Sequence, residues 1–365
     1  MTGIDRVELA YLDQFLSGDA PLFGLVRTGL GYLLLDRRGC GALSSLYHGQ
    51  GAMPQVASWA RMLLRDPMRH TSLQWVRRRT IARRRLIAGL LGKLPRPCTY
   101  WNLGHANLTK ETLAEMAGIK IVILIHDTIP LDYPQYCRPD QMAAFARKIA
   151  ATARHADWVI HISNDARTKT EAHFAKLGRV PQGVTAHLGL TVPKIEAMPQ
   201  TQPYFVTLGT IEPRKNHALL FDIWERHGNL PPLHVIGAKG WATAALFSQM
   251  ERLIARNLVL HHPNLGDATA MGLVAGAKAL LFPSLAEGFG LPPLEAATLG
   301  VPVIANDLPV LREVLGDLAV YLDVTESYSW LETIVSFRHD GGAEKNKFIP
   351  PTWSQHFKTV LTAIG

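Results

Sequence analysis

Cysteine is scarce in this chain: Cys40, Cys98 and Cys137 are the three among 365 residues. Thiols so few and so far apart make neither a disulfide scaffold nor a metal knuckle, and they suit a reducing compartment. Long apolar runs are missing as well. No stretch reaches the roughly 18 uninterrupted apolar residues of a spanning helix. The opening, with Asp5, Arg6 and Glu8, has no apolar signal core. Also absent are the phosphate loop Gly-x-x-x-x-Gly-Lys-Ser/Thr and the zinc pair His-Glu-x-x-His. No Asp-x-Asp pair of the kind that holds a divalent cation on a nucleotide occurs. The expectation is a cytoplasmic protein with no bound metal and no resident cofactor.

What is abundant is positive charge, +8 net with a pI near 9.4, over a hydrophobic content of 47% that can fill ordinary globular cores. Part of the excess is local. Arg61, Arg65, Arg69, Arg77, Arg78, Arg79, Arg83, Arg84 and Arg85 face the single acid Asp66, with Leu63, Trp75, Ile81 and Leu90 among the apolar residues between them. The stretch from about 53 to 94 reads as a basic helical segment with an apolar side. Such a segment suits an anionic membrane surface on the inner face, as a peripheral contact; a solvated basic helix on a surface insertion is the other reading. No recognition motif accompanies the charge, so nucleic acid is not an expected partner.

Strand-like and helix-like runs alternate along the chain. Candidate strands are Leu22–Arg27, Tyr32–Leu35, Thr99–Asn102, Lys120–Ile125, Trp158–Ile162 and Val184–His187. A Pro-rich polar stretch, Val192–Gln202, reads as a linker. A second series follows: Tyr204–Leu208, Leu233–Ile236, Leu258–His261, Ala279–Phe282, Val301–Ile304 and Val320–Leu322. Alternation of this kind predicts α/β architecture, with parallel sheets covered by helices and two Rossmann-like domains facing across a cleft. The expected division is 1–191, 203–348, and a C-terminal helix in 349–365 that packs back on the first domain. At the start, Thr2-Gly3-Ile4 reads as a glycine turn opening a helix, so the first domain is expected to lack the strand that would precede it.

Four places carry chemistry. In Glu287-Gly288-Phe289-Gly290-Leu291-Pro292-Pro293-Leu294-Glu295, two carboxylates stand eight positions apart around a strand-to-helix turn. Prolines suit the first helical positions, and the amides near Gly290 and Leu291 then point out of a positive helix end, a seat for phosphate. In Gly209-Thr210-Ile211-Glu212-Pro213-Arg214-Lys215-Asn216-His217, Arg214 and Lys215 lie on a loop at the carboxyl end of a strand, where ligands bind in open α/β sheets. Two cations there neutralise a diphosphate as charge develops on it; cations at a helix start otherwise need a compensating anion. Gly237-Ala238-Lys239-Gly240-Trp241 either lets a ligand approach the backbone closely or is a plain turn. His126 and Asp127 end an apolar strand, suited to donating to a sugar hydroxyl and to orienting the imidazole or taking a proton; His126 could instead cap a neighbouring loop. Gly104-His105-Ala106-Asn107 also follows a strand and is a further candidate on the acceptor side. Ser163-Asn164-Asp165 either contacts ligand or caps the next helix.

Together these residues resemble the retaining glycosyltransferases of family 4, with the GT-B fold. The resemblance is carried by Gly209 through His217, Gly237 through Trp241 and Glu287 through Glu295, with His126-Asp127 and Ser163 fitting the first-domain positions. It implies transfer of a sugar from a nucleotide diphosphate sugar to a saccharide or lipid-linked acceptor, with retention and without metal, in surface polysaccharide synthesis. Overall likeness suggests mannose. It further implies that Arg214, Lys215, Gly290, Leu291 and Gly3 hold the diphosphate. Glu287, Phe289, Glu295, Gly237 and Lys239 would meet the sugar and nucleotide, Glu295 taking the ribose hydroxyls. His126, Asp127 and Glu287 would stand at the reacting centre, with Glu287 a positioner rather than a covalent nucleophile. Two alternatives are an epimerase of nucleotide sugars on the same architecture and an inactive truncated binding or scaffold protein.

Overall fold

The computed structural model describes residues 3–50, 67–191, 194–198, 200, 202–337 and 348–365. The basic segment as far as residue 66 and four positions of the linker lie outside them.

The described strands make three sheets. The first is antiparallel and small: β1 (Gly24–Thr28), β2 (Gly31–Leu35) and β3 (Thr80–Arg84), in that order. The sequence reading placed β1 and β2 in a parallel sheet. They form a hairpin instead, with Thr28 opposite Gly31 across the two-residue turn Gly29-Leu30. Parallel neighbours need a crossover of a dozen residues or more, which two residues cannot supply. A second correction concerns the basic segment. A helix does occupy Pro67–Arg77, but Thr80–Arg84 is a strand, with Ala82 opposite Leu34 and Arg83 opposite Leu33. The buried Leu33, Leu34 and Leu35 of β2 offer a pairing edge. Tertiary pairing of that kind outweighs a local helical period. At the junction the Arg79 guanidinium lies 3.7 Å over the Trp75 ring.

The second sheet runs β4 (Thr99–Asn102), β5 (Lys120–Ile125), β6 (Trp158–His161) and β7 (Gln182–Thr185). From Ile121 to Ile125 every residue of β5 is buried, as expected for a strand covered on both faces.

The third sheet is parallel, in the order β10 (Val259–His262), β9 (Leu233–Ile236), β8 (Phe205–Leu208), β11 (Leu280–Phe282), β12 (Val303–Asn306) and β13 (Ala319–Leu322). Counted from β8 as the first strand, this is the doubly wound order 3-2-1-4-5-6, which reverses between β8 and β11. The core on one side of it holds Phe205, Phe221, Trp224, Leu281 and Trp330, all essentially inaccessible to solvent. Among them Phe205 meets Trp224 edge-on at 6.0 Å.

The chain resolves into two compact units: Met1–Leu124 with Arg147–Val159 and Leu177–Gln182, and Ile125–Ala146 with Ile160–Lys176 and Gly183–Gly365. In the first, the helix Gly3–Ser17 packs Tyr11 and Phe15 against Trp101. In the second, the last helix, Trp353–Ile364, opens on a capping box of Thr352 and Gln355. It docks on the chain after β7: Leu190 N donates to Pro351 O at 2.8 Å, and His356 Nδ1 donates to His187 O at 3.0 Å.

Candidate functional site

Topology assembles the site. The loops leaving β8 and β11 flank the point where strand order reverses, the place where α/β sheets bind ligands. The first carries Arg214 and Lys215, the second Glu287. Lys215 Nζ lies 2.6 Å from Glu287 Oε1, and Arg214 Nη1 lies 3.0 Å from Oε2. The other arm of the guanidinium reaches Glu212 Oε1 at 2.9 Å. Arg214 Nη1 also donates to Ala286 O at 2.7 Å, and Leu285 N donates to Arg214 O at 2.8 Å, so the two loops are laced together. Trp241 Nε1 donates to Glu212 Oε2 at 3.3 Å, tying in the loop after β9. The compensating anions for the two cations are thus the protein's own carboxylates.

Burial alone would raise the Glu287 carboxyl. Lys215 first and Arg214 second outweigh it and hold the group down at about 2. Burial lowers the Lys215 ammonium against the pull of Glu287. Contact at hydrogen-bonding distance with an ionised carboxylate keeps the two an ion pair at neutral pH. Arg214 is raised: burial opposes its charge, but Glu287 and Glu212 outweigh it. Beneath Lys215, burial pushes the His217 imidazole to about 3, so no third positive charge crowds the pair.

His126 and Asp127 leave β5 and come to the same place. Gly288 backs directly onto them: a Cβ there would stand 2.6 Å from His126 O and 3.1 Å from Asp127 Cβ. Only glycine lets these segments approach so closely. Asp127 accepts from Ile129 N at 3.0 Å. Its carboxyl is raised by burial, while Arg214 pulls the other way. Ser163 caps its helix, one of the two roles the sequence left open, by accepting from Ala166 N at 3.1 Å, and it also donates to Gly288 O at 3.2 Å.

The helix after the β11 loop spans Leu291–Thr298. Gly290 caps it in a left-handed conformation, φ 95°. Pro292 and Pro293 follow in its first turn and carry no N–H. Glu295 is buried on this helix, and Phe289 is buried against the His187 ring, 5.9 Å between centroids. Gly237 (φ 146°) packs its Cα against Gly209 O. Lys239 pairs with Glu251 at 2.6 Å, while its backbone bridges Ile211. Gly3 is exposed at the start of its helix in the first unit. Sequence reasoning assigned no role to Glu212, although it stands two residues before Arg214 in the quoted motif. It also missed His187 and Glu313, whose partners lie more than a hundred residues away.

The strand order and the carboxyl-end site are those of a doubly wound sheet, and similarity to solved structures makes the class a GT-B fold. Anabaena HepE, solved with UDP and glucose, shares it over 99% of this chain and 92% of its own, at a TM-score of 0.58 and 14% identity. Sucrose-phosphate synthase from Thermosynechococcus elongatus shares it over 70% and 68%, at 0.53 and 16%. More particularly, residues 191–349 match the family of glycosyl transferases group 1. The serotype-specific mannosyltransferase WbdA of Escherichia coli is 30% identical over 284 residues, which are 67% of this chain and 33% of the relative. The O-antigen chain mannosyltransferase RfbU of Salmonella typhimurium is 27% identical over 255 residues, 65% of this chain and 68% of the relative. The chain therefore spans about a third of the WbdA relative. Among the described residues no helix is long and apolar enough to cross a membrane.

Proposed function

We propose that this chain is a family 4 retaining glycosyltransferase of surface polysaccharide synthesis, moving a sugar from a nucleotide diphosphate donor to a saccharide or lipid-linked acceptor. Mannose is the sugar to try first, because the WbdA and RfbU relatives are named mannosyltransferases. The reading includes no metal and no cofactor beyond the donor, and a peripheral contact of the basic segment with anionic lipid at the cytoplasmic face.

One observation carries the proposal: an ionised, buried Glu287 set between Arg214 and Lys215 where the sheet order reverses. Arg214 and Lys215 neutralise the diphosphate, most strongly as its charge grows on leaving. The amide of Leu291 at the helix tip adds to them. Glu287 holds both cations in register and positions the sugar. Glu295 takes the ribose hydroxyls. His126 donates to a sugar hydroxyl beside the reacting carbon, and Asp127 sets its imidazole. The acceptor attacks on the face the diphosphate leaves, and the departing phosphate takes the acceptor's proton, so the anomeric configuration is kept.

The test is a donor panel of GDP-mannose with UDP and ADP sugars, each with a mannosyl primer, and product stereochemistry by NMR. The expected product is an α-linked sugar from an α-linked donor. A β-linked product refutes retention. A donor altered without primer points to an epimerase, and failure of every donor refutes the reading.

A further inference from the structure

Glu313, on the helix Pro309–Leu315, gathers donors from two distant segments. Asn164 N donates to its Oε1 at 2.7 Å and Asp165 N to its Oε2 at 3.1 Å. His187 Nε2 lies 2.7 Å from Oε1. Burial would raise this carboxyl, but His187 and the two amides outweigh it and keep it low, hence ionised. The helix Asn164–Lys176 has a cap of its own, Ser163 Oγ accepting from Ala166 N, so Glu313 is not needed for that.

The groups on and around Glu313 converge on three consecutive residues of the β11 loop. Ser163, next to the two amides, donates to Gly288 O at 3.2 Å. The His187 ring packs on Phe289 at 5.9 Å and 59°. Leu311, on the same helix as Glu313, stands where a Cβ of Gly290 would be, 2.5 Å from it. Residues 288, 289 and 290 are thus each backed by a group that Glu313 holds or accompanies.

We propose that Glu313 and His187 form a positioning pair that fixes the backbone of Phe289-Gly290 for the donor diphosphate. The proposal rests on the donor-site reading above. Neither residue touches substrate; Glu313 orients His187 and the Ser163 turn, and these hold the loop. A cavity of about 350 Å³ adjoins His187, lined also by Asn164, Gln355 and His356. It is wide enough to admit imidazole to a space left by removing the His187 ring.

The experiment compares the full chain with Glu313→Gln, Glu313→Asp and His187→Ala. It reads donor KM, kcat, and calorimetric affinity for GDP, UDP and ADP. Loss of a charge-assisted hydrogen bond should raise donor KM and nucleotide Kd about tenfold in Glu313→Gln. Glu313→Asp should recover part of that loss. Added imidazole should restore His187→Ala and leave Glu313→Gln unchanged, which a merely structural role would not produce. Donor KM and nucleotide Kd within about twofold of wild type in folded Glu313→Gln and His187→Ala would overturn the proposal, as would His187→Ala indifferent to imidazole. If Glu313→Gln does not fold, Glu313→Asp and His187→Ala decide. A wild-type chain that binds no nucleotide refutes the donor site itself, and this proposal with it.

Discussion

Replacing Glu287 by glutamine keeps the side chain's shape and removes its charge. The carboxyl sits at about 2 against an ordinary 4.5, so the folded state favours its ionised form by about 3 kcal/mol. Glutamine forfeits that and leaves Arg214 and Lys215 buried beside each other without their shared anion. Breaking a buried pair from one side costs about 3–5 kcal/mol. The expected loss at neutral pH is therefore about 3 kcal/mol. Its pH dependence has a definite sign. A carboxyl depressed in the folded state contributes fully above its unfolded range and progressively less as pH falls toward its folded value. The gap between wild type and variant should be constant above about pH 5 and narrow steadily below it. Urea unfolding followed by the fluorescence of the buried Trp224 and Trp330 measures it. Adding Lys215→Met removes one stranded cation and should restore about 1 kcal/mol or more. Equal stability of Glu287→Gln and wild type at pH 7, or a gap unchanged between about pH 5 and pH 3, would refute the reasoning.

Gly288→Ala sets a methyl group 2.6 Å from His126 O, where backbone cannot yield easily. A loss of about 1–3 kcal/mol and a fall in kcat/KM are expected, read by thermal melting and transfer assay. Lys215→Ala should lower kcat more than it raises donor KM, because charge on the leaving diphosphate grows in the transition state. Glu295→Ala should instead weaken donor binding in a nucleotide-sugar titration; unchanged behaviour in both variants would remove the site. Transfer should persist in excess chelator, and complete loss that manganese or magnesium restores would contradict the metal-free reading.

Much of the second series of strands was legible because it obeys a local rule. Strands such as Phe205–Leu208 and Leu280–Phe282 are largely buried on both faces, so each is a short, mostly apolar run ended by glycine or proline. The Arg214, Lys215 and Glu287 loops followed from the strands they leave. What failed depended on partners. Thr80–Arg84 is a strand because β2 lies beside it, and nothing within five residues says so. The Gly29-Leu30 turn was readable from its glycine but was passed over for the general alternation. The pairing of Lys239 with Glu251, twelve residues on, likewise has no signal in the local motif. Glu313 gave no local signal at all, since its partners begin 126 residues away.

The two prolines behind Leu291 have one more effect. An ordinary helix tip presents several adjoining amides, over which an anion can slide from notch to notch. Here the second and third are chemically deleted, and only the grip at the very front is left. Whatever oxygen docks there is confined to the front of the tip, at Gly290 and Leu291. The spacing between that tip and the cations across the reversal is set by the packing of the two loops, which the Arg214–Ala286 and Leu285–Arg214 hydrogen bonds hold together.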